Sequence, residues 1–179
     1  MTIIWIDWGD SDCAQLEQLW EGITGITVLH ITQWNHVTER AVELAISNEE
    51  DTLLFCGHGT SYGLLAPGSY SEYVLHEMNA SSIRARNIIG ISCHAAEFAR
   101  RAGLHGFFSG MFISNMNEAI DYCVHAEDGD IESAIREILS QINRMLRGET
   151  SMEECLSILQ STNTDNFVER FNIDGIEIL

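Results

Sequence analysis

The sequence predicts an α/β fold, a three-layer sandwich with a mostly parallel central sheet. Two observations carry this prediction: short apolar runs rich in β-branched residues recur along the 179 residues, and stretches with helical spacing separate them. Such alternation is typical of parallel sheets with right-handed crossovers and helices on both faces. We therefore expect one domain, residues 1–179, whose functional edge lies at the carboxyl ends of the strands.

The predicted strands share a run of five or six mainly apolar residues, as strands buried on both faces do. They are TIIWID (2–7), ITVLHI (26–31), TLLFC (52–56), IIGIS (88–92) and GMFIS (110–114).

The predicted helices show apolar residues three or four positions apart, the spacing of one helix face. The stripes are Cys13, Leu16, Trp20 and Ile23; Val37, Ala41 and Leu44; and Ile131, Ile135, Ile138, Ile142 and Met145. The carboxylate run at 126–130 predicts a solvated loop that leads into the last of these helices.

Two segments depart from this alternation. Residues 60–86 contain Gly63, Pro67 and Gly68, which predict a loop or small hairpin, followed by a short helix near SEYVLHEMN. The closing NFVERFNIDGIEIL predicts a final strand or hairpin, with Asp174 and Gly175 at the turn.

Composition excludes several classes of partner and compartment. A net charge of −18 argues against nucleic acid and against an anionic membrane surface, because both attract Lys and Arg. No stretch approaches the roughly 20 apolar residues of a membrane helix, and the first residues lack a secretory pattern, so a cytoplasmic location is expected. Five cysteines without CxxC spacing indicate free thiols, with no metal site and no cofactor expected; the oligomeric state stays open.

Two predicted strands end on the two halves of a thiol catalyst. LLFCGHGT places His58 between two glycines, and NIIGISCHAAEFARR places Cys93 where a strand passes into a helix. A cysteine nucleophile acts as its thiolate, so its pKa of roughly 8.5 must be lowered or its proton removed by a base such as histidine. A helix that begins at Cys93 would lower this pKa, and Gly59 would let a backbone N–H approach a substrate oxyanion.

These two blocks resemble the caspase-like cysteine peptidases, the group that holds caspases, legumains, gingipains, clostripain and bacterial CHAT domains. The resemblance covers TLLFCGHGT and NIIGISCHAAEFA, and more loosely YGLLAP, AGLHGFFSGMFISNMNEA and the closing FNIDGIEIL. It implies a caspase-like fold, His58 as general base, Cys93 as nucleophile, and the Gly59 and Cys93 amides as oxyanion hole. The implied reaction is hydrolysis of a peptide or protein substrate through an acyl-enzyme.

The same resemblance suggests where the residue before the cut would bind. In this group the end of the first strand forms one wall of that pocket, which makes Asp7 a substrate-binding candidate, and Asn115 is a second. An acidic wall would select Lys or Arg. Asp10 and Asp12 are better explained as caps of the helix beginning near residue 12.

Two alternatives remain open. ISCHAAE lacks the Gln-Ala-Cys-x-Gly pattern of caspases, so the resemblance does not imply their aspartate specificity. The Cys93–His94 pair instead resembles the cysteine elbow of the DJ-1/PfpI group, although the His58–Gly59 block weighs against it. A catalytically inactive caspase-like interaction module is the other alternative.

Overall fold

The computed structural model describes residues 1–127 and 129–179, and its architecture is α/β. Its strands are β1 (Thr2–Ile6), β2 (Thr27–Ile31), β3 (Thr52–Cys56), β4 (Gly59–Thr60), β5 (Gly63–Leu65), β6 (Tyr73–His76), β7 (Asn87–Ile91), β8 (Gly106–Phe108) and β9 (Glu177–Ile178). Its helices are α1 (Ser11–Gln15), which continues as a 3-10 helix (Leu16–Trp20), α2 (His36–Asn48), α3 (Glu77–Ala80), α4 (Ala95–Ala102), α5 (Met116–Asp121), α6 (Asp130–Leu146), α7 (Met152–Ser161) and α8 (Phe167–Asp174).

The central sheet confirms the predicted parallel arrangement. In the described part of the chain, six strands pair in the order β2-β1-β3-β7-β8-β9, and every pairing is parallel except the last. The carboxyl ends of β1, β3 and β7 are therefore neighbours at one edge. The segments that follow these three strands are brought together there.

Helices cover both faces of this sheet, as the three-layer prediction requires. Successive strand residues point to opposite faces, so Ile3 and Trp5 pack against the 3-10 helix, α6, α7 and α8, whereas Ile4 and Ile6 pack against α2, α3 and α4. The α6 stripe is confirmed from Ile135 onwards, with four members buried and Ile131 partly buried. Of the predicted carboxylate loop, position 128 lies outside the described residues.

Several local predictions differ from the structure. The strand that pairs with β7 is β8, Gly106–Phe108, whereas residues 110–114, predicted as a strand, are irregular. A short apolar run on each side of Gly110 fits a strand equally well, and a side chain at Gly110 would collide with the Gly175 backbone, at 2.8 Å from its carbonyl oxygen. The chain therefore pairs with β7 before this glycine.

Two further segments change type. Within SEYVLHEMN the apolar residues form strand β6 in a small antiparallel sheet with β4 and β5, and only the end is helical. The closing segment forms α8 before the predicted final strand, because Asn166 caps it by accepting from the Val168 and Glu169 N–H groups.

Helix α2 exists as predicted but faces the sheet differently. Val37 and Leu44 are 79% and 45% exposed, whereas Val42 and Ile46 are buried. The predicted stripe and the pair Val42 and Ile46 both have the spacing of a helix face, so spacing alone does not show which face is buried. In the described residues, no helix combines the length and apolar character that crossing a membrane requires.

Asn172 on α8 anchors the irregular segment between β8 and α5. It is fully buried, accepts from the Ile113 N–H at 2.8 Å and donates to the Ile113 carbonyl at 3.0 Å. We expect Asn172→Ala to lower the free energy of unfolding by roughly 2 to 4 kcal/mol, because both Ile113 backbone groups lose a buried partner. Urea unfolding monitored by circular dichroism measures this, with the exposed Asn163→Ala as control. Equal stability of the two variants would contradict it.

Candidate active site

The structure brings His58 and Cys93 to one pocket at the carboxyl edge of the sheet. His58 lies two residues beyond β3 and Cys93 two residues beyond β7, and these strands are adjacent. The pocket is lined by Asp12, Cys13, Leu16, Gly57, His58, Ile91, Ser92, Cys93, Phe112, Ser114 and Ile135. The two predicted catalytic residues thus face the same cavity.

The glycines beside His58 allow the loop to pack against neighbouring backbone. Gly57 has φ +140°, and a side chain there would lie 2.6 Å from the Ile6 carbonyl oxygen. A side chain at Gly59 would lie 2.7 Å from Ser92 Oγ and 2.9 Å from the Cys93 carbonyl oxygen. Gly59 and Cys93, the two predicted oxyanion donors, are therefore close neighbours, and their role as donors stays a prediction.

Asp10, which was predicted from the sequence only as a helix cap, lies in contact with His58, the predicted base. Asp10 Oδ1 accepts from the Cys13 N–H at 2.8 Å, which confirms the cap, and its Oδ2 lies 2.8 Å from His58 Nε2. Partial burial works to raise the pKa of Asp10, but these hydrogen bonds and the nearby His58 charge hold it below its usual value. Because an ionised carboxylate only accepts, His58 presents Nε2–H to Asp10.

The His58 ring is also held by an aromatic contact. Trp8 packs edge-on against it, with ring centroids 5.0 Å apart. The Trp8 ring N–H is buried and without a partner among the described residues. Together with Asp10, the Trp8 ring holds the imidazole in one orientation, and Nδ1 has no hydrogen-bond partner among the described residues.

Cys93 is a neutral thiol in this arrangement. Burial, together with the charges of Glu118 and Asp12, raises the pKa of Cys93 to about 12. Its sulfur lies 3.5 Å from the Phe112 carbonyl oxygen, to which it donates. The expected lowering of this pKa by a helix was wrong, because α4 begins only at Ala95.

The turn that carries Cys93 is held from both sides. Ser109 Oγ accepts from the Ser92 N–H at 3.0 Å and donates to the Ser92 carbonyl at 2.7 Å. His94 adopts the left-handed conformation at φ 61°, and its N–H donates to the Gly110 carbonyl. The strained residue is thus His94, one position after the cysteine.

The His94 side chain, next to Cys93, makes its own polar contacts. His94 Nδ1 lies 3.3 Å from Glu97 Oε1, and its Nε2 lies 3.5 Å from the Tyr122 hydroxyl. Burial, with the nearby Cys93, raises the pKa of Tyr122. Because both ring nitrogens of His94 already have partners, we do not assign His94 as the base that deprotonates Cys93.

The two predicted substrate-binding residues have different surroundings. Asp7 lies 2.9 Å from His30 Nε2 and accepts from the Gly9 N–H, and it does not line the pocket. Asn115 caps α5 and donates to Asp12 Oδ2 at 2.8 Å. Asp12, assigned only to capping by the sequence analysis, is the pocket carboxylate that Asn115 orients.

Sequence reasoning also missed Cys13, whose sulfur belongs to the same cluster. Ligand atoms of Asp10, Cys13 and His58 all lie within 4.8 Å of one another. Burial, with the nearby Asp10 charge, raises the pKa of Cys13 to about 12. The pairing of β1 with β3 could have revealed this cluster, since it brings the residues that follow β1 beside His58.

No protein-family model matches the chain, and no curated protein matches it.

Proposed function

We propose that this protein is a cytoplasmic cysteine endopeptidase with a caspase-like fold, in which Cys93 is the nucleophile and His58 the general base. The observation that supports it is the shared pocket at the ends of β3 and β7, with the His58 ring oriented by Asp10 at 2.8 Å. A thiol, an imidazole and a carboxylate are the parts of a nucleophilic acyl-transfer site.

The proposed reaction begins with removal of the thiol proton. With Nε2–H given to Asp10, His58 accepts the Cys93 proton on Nδ1, and the sulfur bonds to the scissile carbonyl carbon. The Gly59 and Cys93 N–H groups stabilise the oxyanion. His58 then gives its proton to the leaving amine, and water hydrolyses the acyl-enzyme by the reverse route.

His58 is required as a base because the Cys93 thiol is protonated in the absence of substrate. A thiol with a pKa of about 12 holds almost no thiolate near neutral pH. A substrate that enters the pocket must therefore draw the sulfur away from the Phe112 carbonyl and towards His58. Proton removal and attack then belong to one step.

The proposed substrate carries Lys or Arg before the cut, and Asp12 is the residue we expect to bind it. Its carboxylate lines the pocket and is held by Asn115, and Glu118 adds negative charge near Cys93. A cationic side chain would bind Asp12 through charge-assisted hydrogen bonds.

An inactive interaction module is the second candidate. It is favoured by the Cys93 sulfur contact with the Phe112 carbonyl and by the raised pKa of this thiol. Under this alternative the pocket would bind a peptide without cleaving it.

Fluorogenic peptides that vary the residue before the cut test the proposal. We expect turnover after Lys or Arg, and a 10- to 100-fold loss (about the worth of one charged hydrogen bond) in the basic preference of Asp12→Asn. Asp7→Asn is the matched comparison and should keep the preference. If only Asp7→Asn loses the preference for Lys or Arg, Asp7 rather than Asp12 binds the basic side chain. Absence of turnover on every peptide would favour the inactive interaction module.

A further inference from the structure

Asp10, Cys13 and His58 form a compact group of three different ligand types. One carboxylate oxygen, the Cys13 sulfur and one His58 ring nitrogen all lie within 4.8 Å of one another. They come from two separate segments of the chain, the start of α1 and the loop after β3. The cluster is therefore created by packing of the loops at the sheet edge.

The donor set fits zinc. Thiolate sulfur, imidazole nitrogen and carboxylate oxygen are the ligands of tetrahedral Zn²⁺, and three protein ligands leave one position for water. Bond lengths of about 2.0 to 2.3 Å place tetrahedral ligand atoms roughly 3.3 to 3.7 Å apart. The present separations do not exceed 4.8 Å, so the ligand atoms would need to move only about 1 Å, and two metal bonds would replace the 2.8 Å hydrogen bond between Asp10 and His58.

The surroundings hold the three side chains while leaving an entry path. Cys13 is 1% exposed, whereas the His58 and Asp10 side chains are 27% and 39% exposed. Asp10 Oδ1 is fixed by the Cys13 N–H, which leaves Oδ2 for a ligand. Trp8 packs edge-on against the His58 ring and limits its rotation. A metal ion and its water would enter from the side of the Asp10 carboxylate, which is the most exposed of the three side chains.

We propose that Asp10 Oδ2, Cys13 Sγ and a ring nitrogen of His58 bind one Zn²⁺, with water as fourth ligand. The thiol proton is released to solvent on binding. Binding does not depend on the proposed peptidase activity. If that activity exists, the bound metal suppresses it, because His58 is withdrawn from its role as base.

Cobalt titration of the chelator-treated protein tests this site, because Co²⁺ accepts the same ligands and absorbs light. We expect one Co²⁺ per chain, with a thiolate-to-cobalt charge-transfer band that Zn²⁺ abolishes. The band should disappear in Cys13→Ser. Asp10→Asn and His58→Gln should each weaken binding at least about tenfold, the loss that follows even from removal of a supporting group.

The controls separate this site from other thiols. Cys123→Ser, at an exposed cysteine, should keep the band. Cys93→Ser, inactive under the proposed function, should also keep it, so metal binding is measured even where turnover is absent. A band retained in Cys13→Ser or lost in Cys93→Ser overturns the proposal, as does absence of binding to the wild type. If Cys13→Ser fails to fold by circular dichroism, His58→Gln decides, and an unchanged Co²⁺ affinity in that variant overturns the proposal.

Discussion

Replacing Cys93 with alanine is expected to lower kcat/KM on a cleaved peptide by roughly 10⁴- to 10⁶-fold, and His58→Ala by a similar factor. Each variant removes one member of a unit that acts together, so the double variant should lose little more than either alone. For Cys93→Ala, the expected change in the free energy of unfolding is only about 1 kcal/mol, since Cys93 makes one weak sulfur hydrogen bond. Steady-state kinetics and urea unfolding on the same preparations measure both effects.

Cys123→Ala is the matched control for this experiment, because Cys123 is exposed and does not line the pocket that contains Cys93. It should keep wild-type kinetics. Cys13→Ala is the informative comparison, since the Cys13 sulfur lies within 4.8 Å of a His58 ring nitrogen and Cys13 lines the same pocket as Cys93. Activity that survives Cys93→Ala and disappears in Cys13→Ala would assign the nucleophile to Cys13.

Asp10→Asn is expected to lower kcat by about 10²- to 10⁴-fold, the range in which a carboxylate that orients a catalytic histidine acts. Asparagine keeps the cap of α1, because its side-chain oxygen still accepts from the Cys13 N–H. Its amide N–H₂ can face Nε2 and favour the wrong histidine tautomer, and its neutrality withdraws support from the imidazolium. Asp10 is thus a positioning residue.

The kinetic pattern distinguishes this role from a structural one. Asp10 does not line the pocket that contains Cys93, so Asp10→Asn should lower kcat and leave KM nearly unchanged. Asp10→Glu should restore part of the rate. The exposed Asp165→Asn should change neither kcat nor KM, and a loss carried by KM alone in Asp10→Asn would contradict the positioning role.

The same carboxylate affects stability in a definite direction. Since the folded-state pKa of Asp10 is lowered, its ionised form stabilises the fold above the ordinary value of 3.8, and this stabilisation is lost as the pH falls through the folded-state pKa. The difference in unfolding temperature between wild type and Asp10→Asn should therefore be present near neutral pH and disappear in acid.

The sequence by itself determined the central strands and the positions of His58 and Cys93. β1, β3 and β7 are short apolar runs, and the residues that end them are local features of the chain. Parallel strands place their carboxyl ends together, so a shared site followed once the three strands were recognised as neighbours. The α6 stripe was equally clear, because five regularly spaced apolar residues predict one face to bury, and four of them are buried.

Only the tertiary structure decided which side chains meet at that edge. Asp10 and His58 are 48 residues apart, and their contact depends on the pairing of β1 with β3 and on the path of each loop. Packing likewise decided which face of α2 is buried and that Gly106–Phe108, rather than residues 110–114, pairs with β7. Spacing within one segment specifies its type, whereas contacts between segments depend on register and on the space that neighbouring backbone leaves.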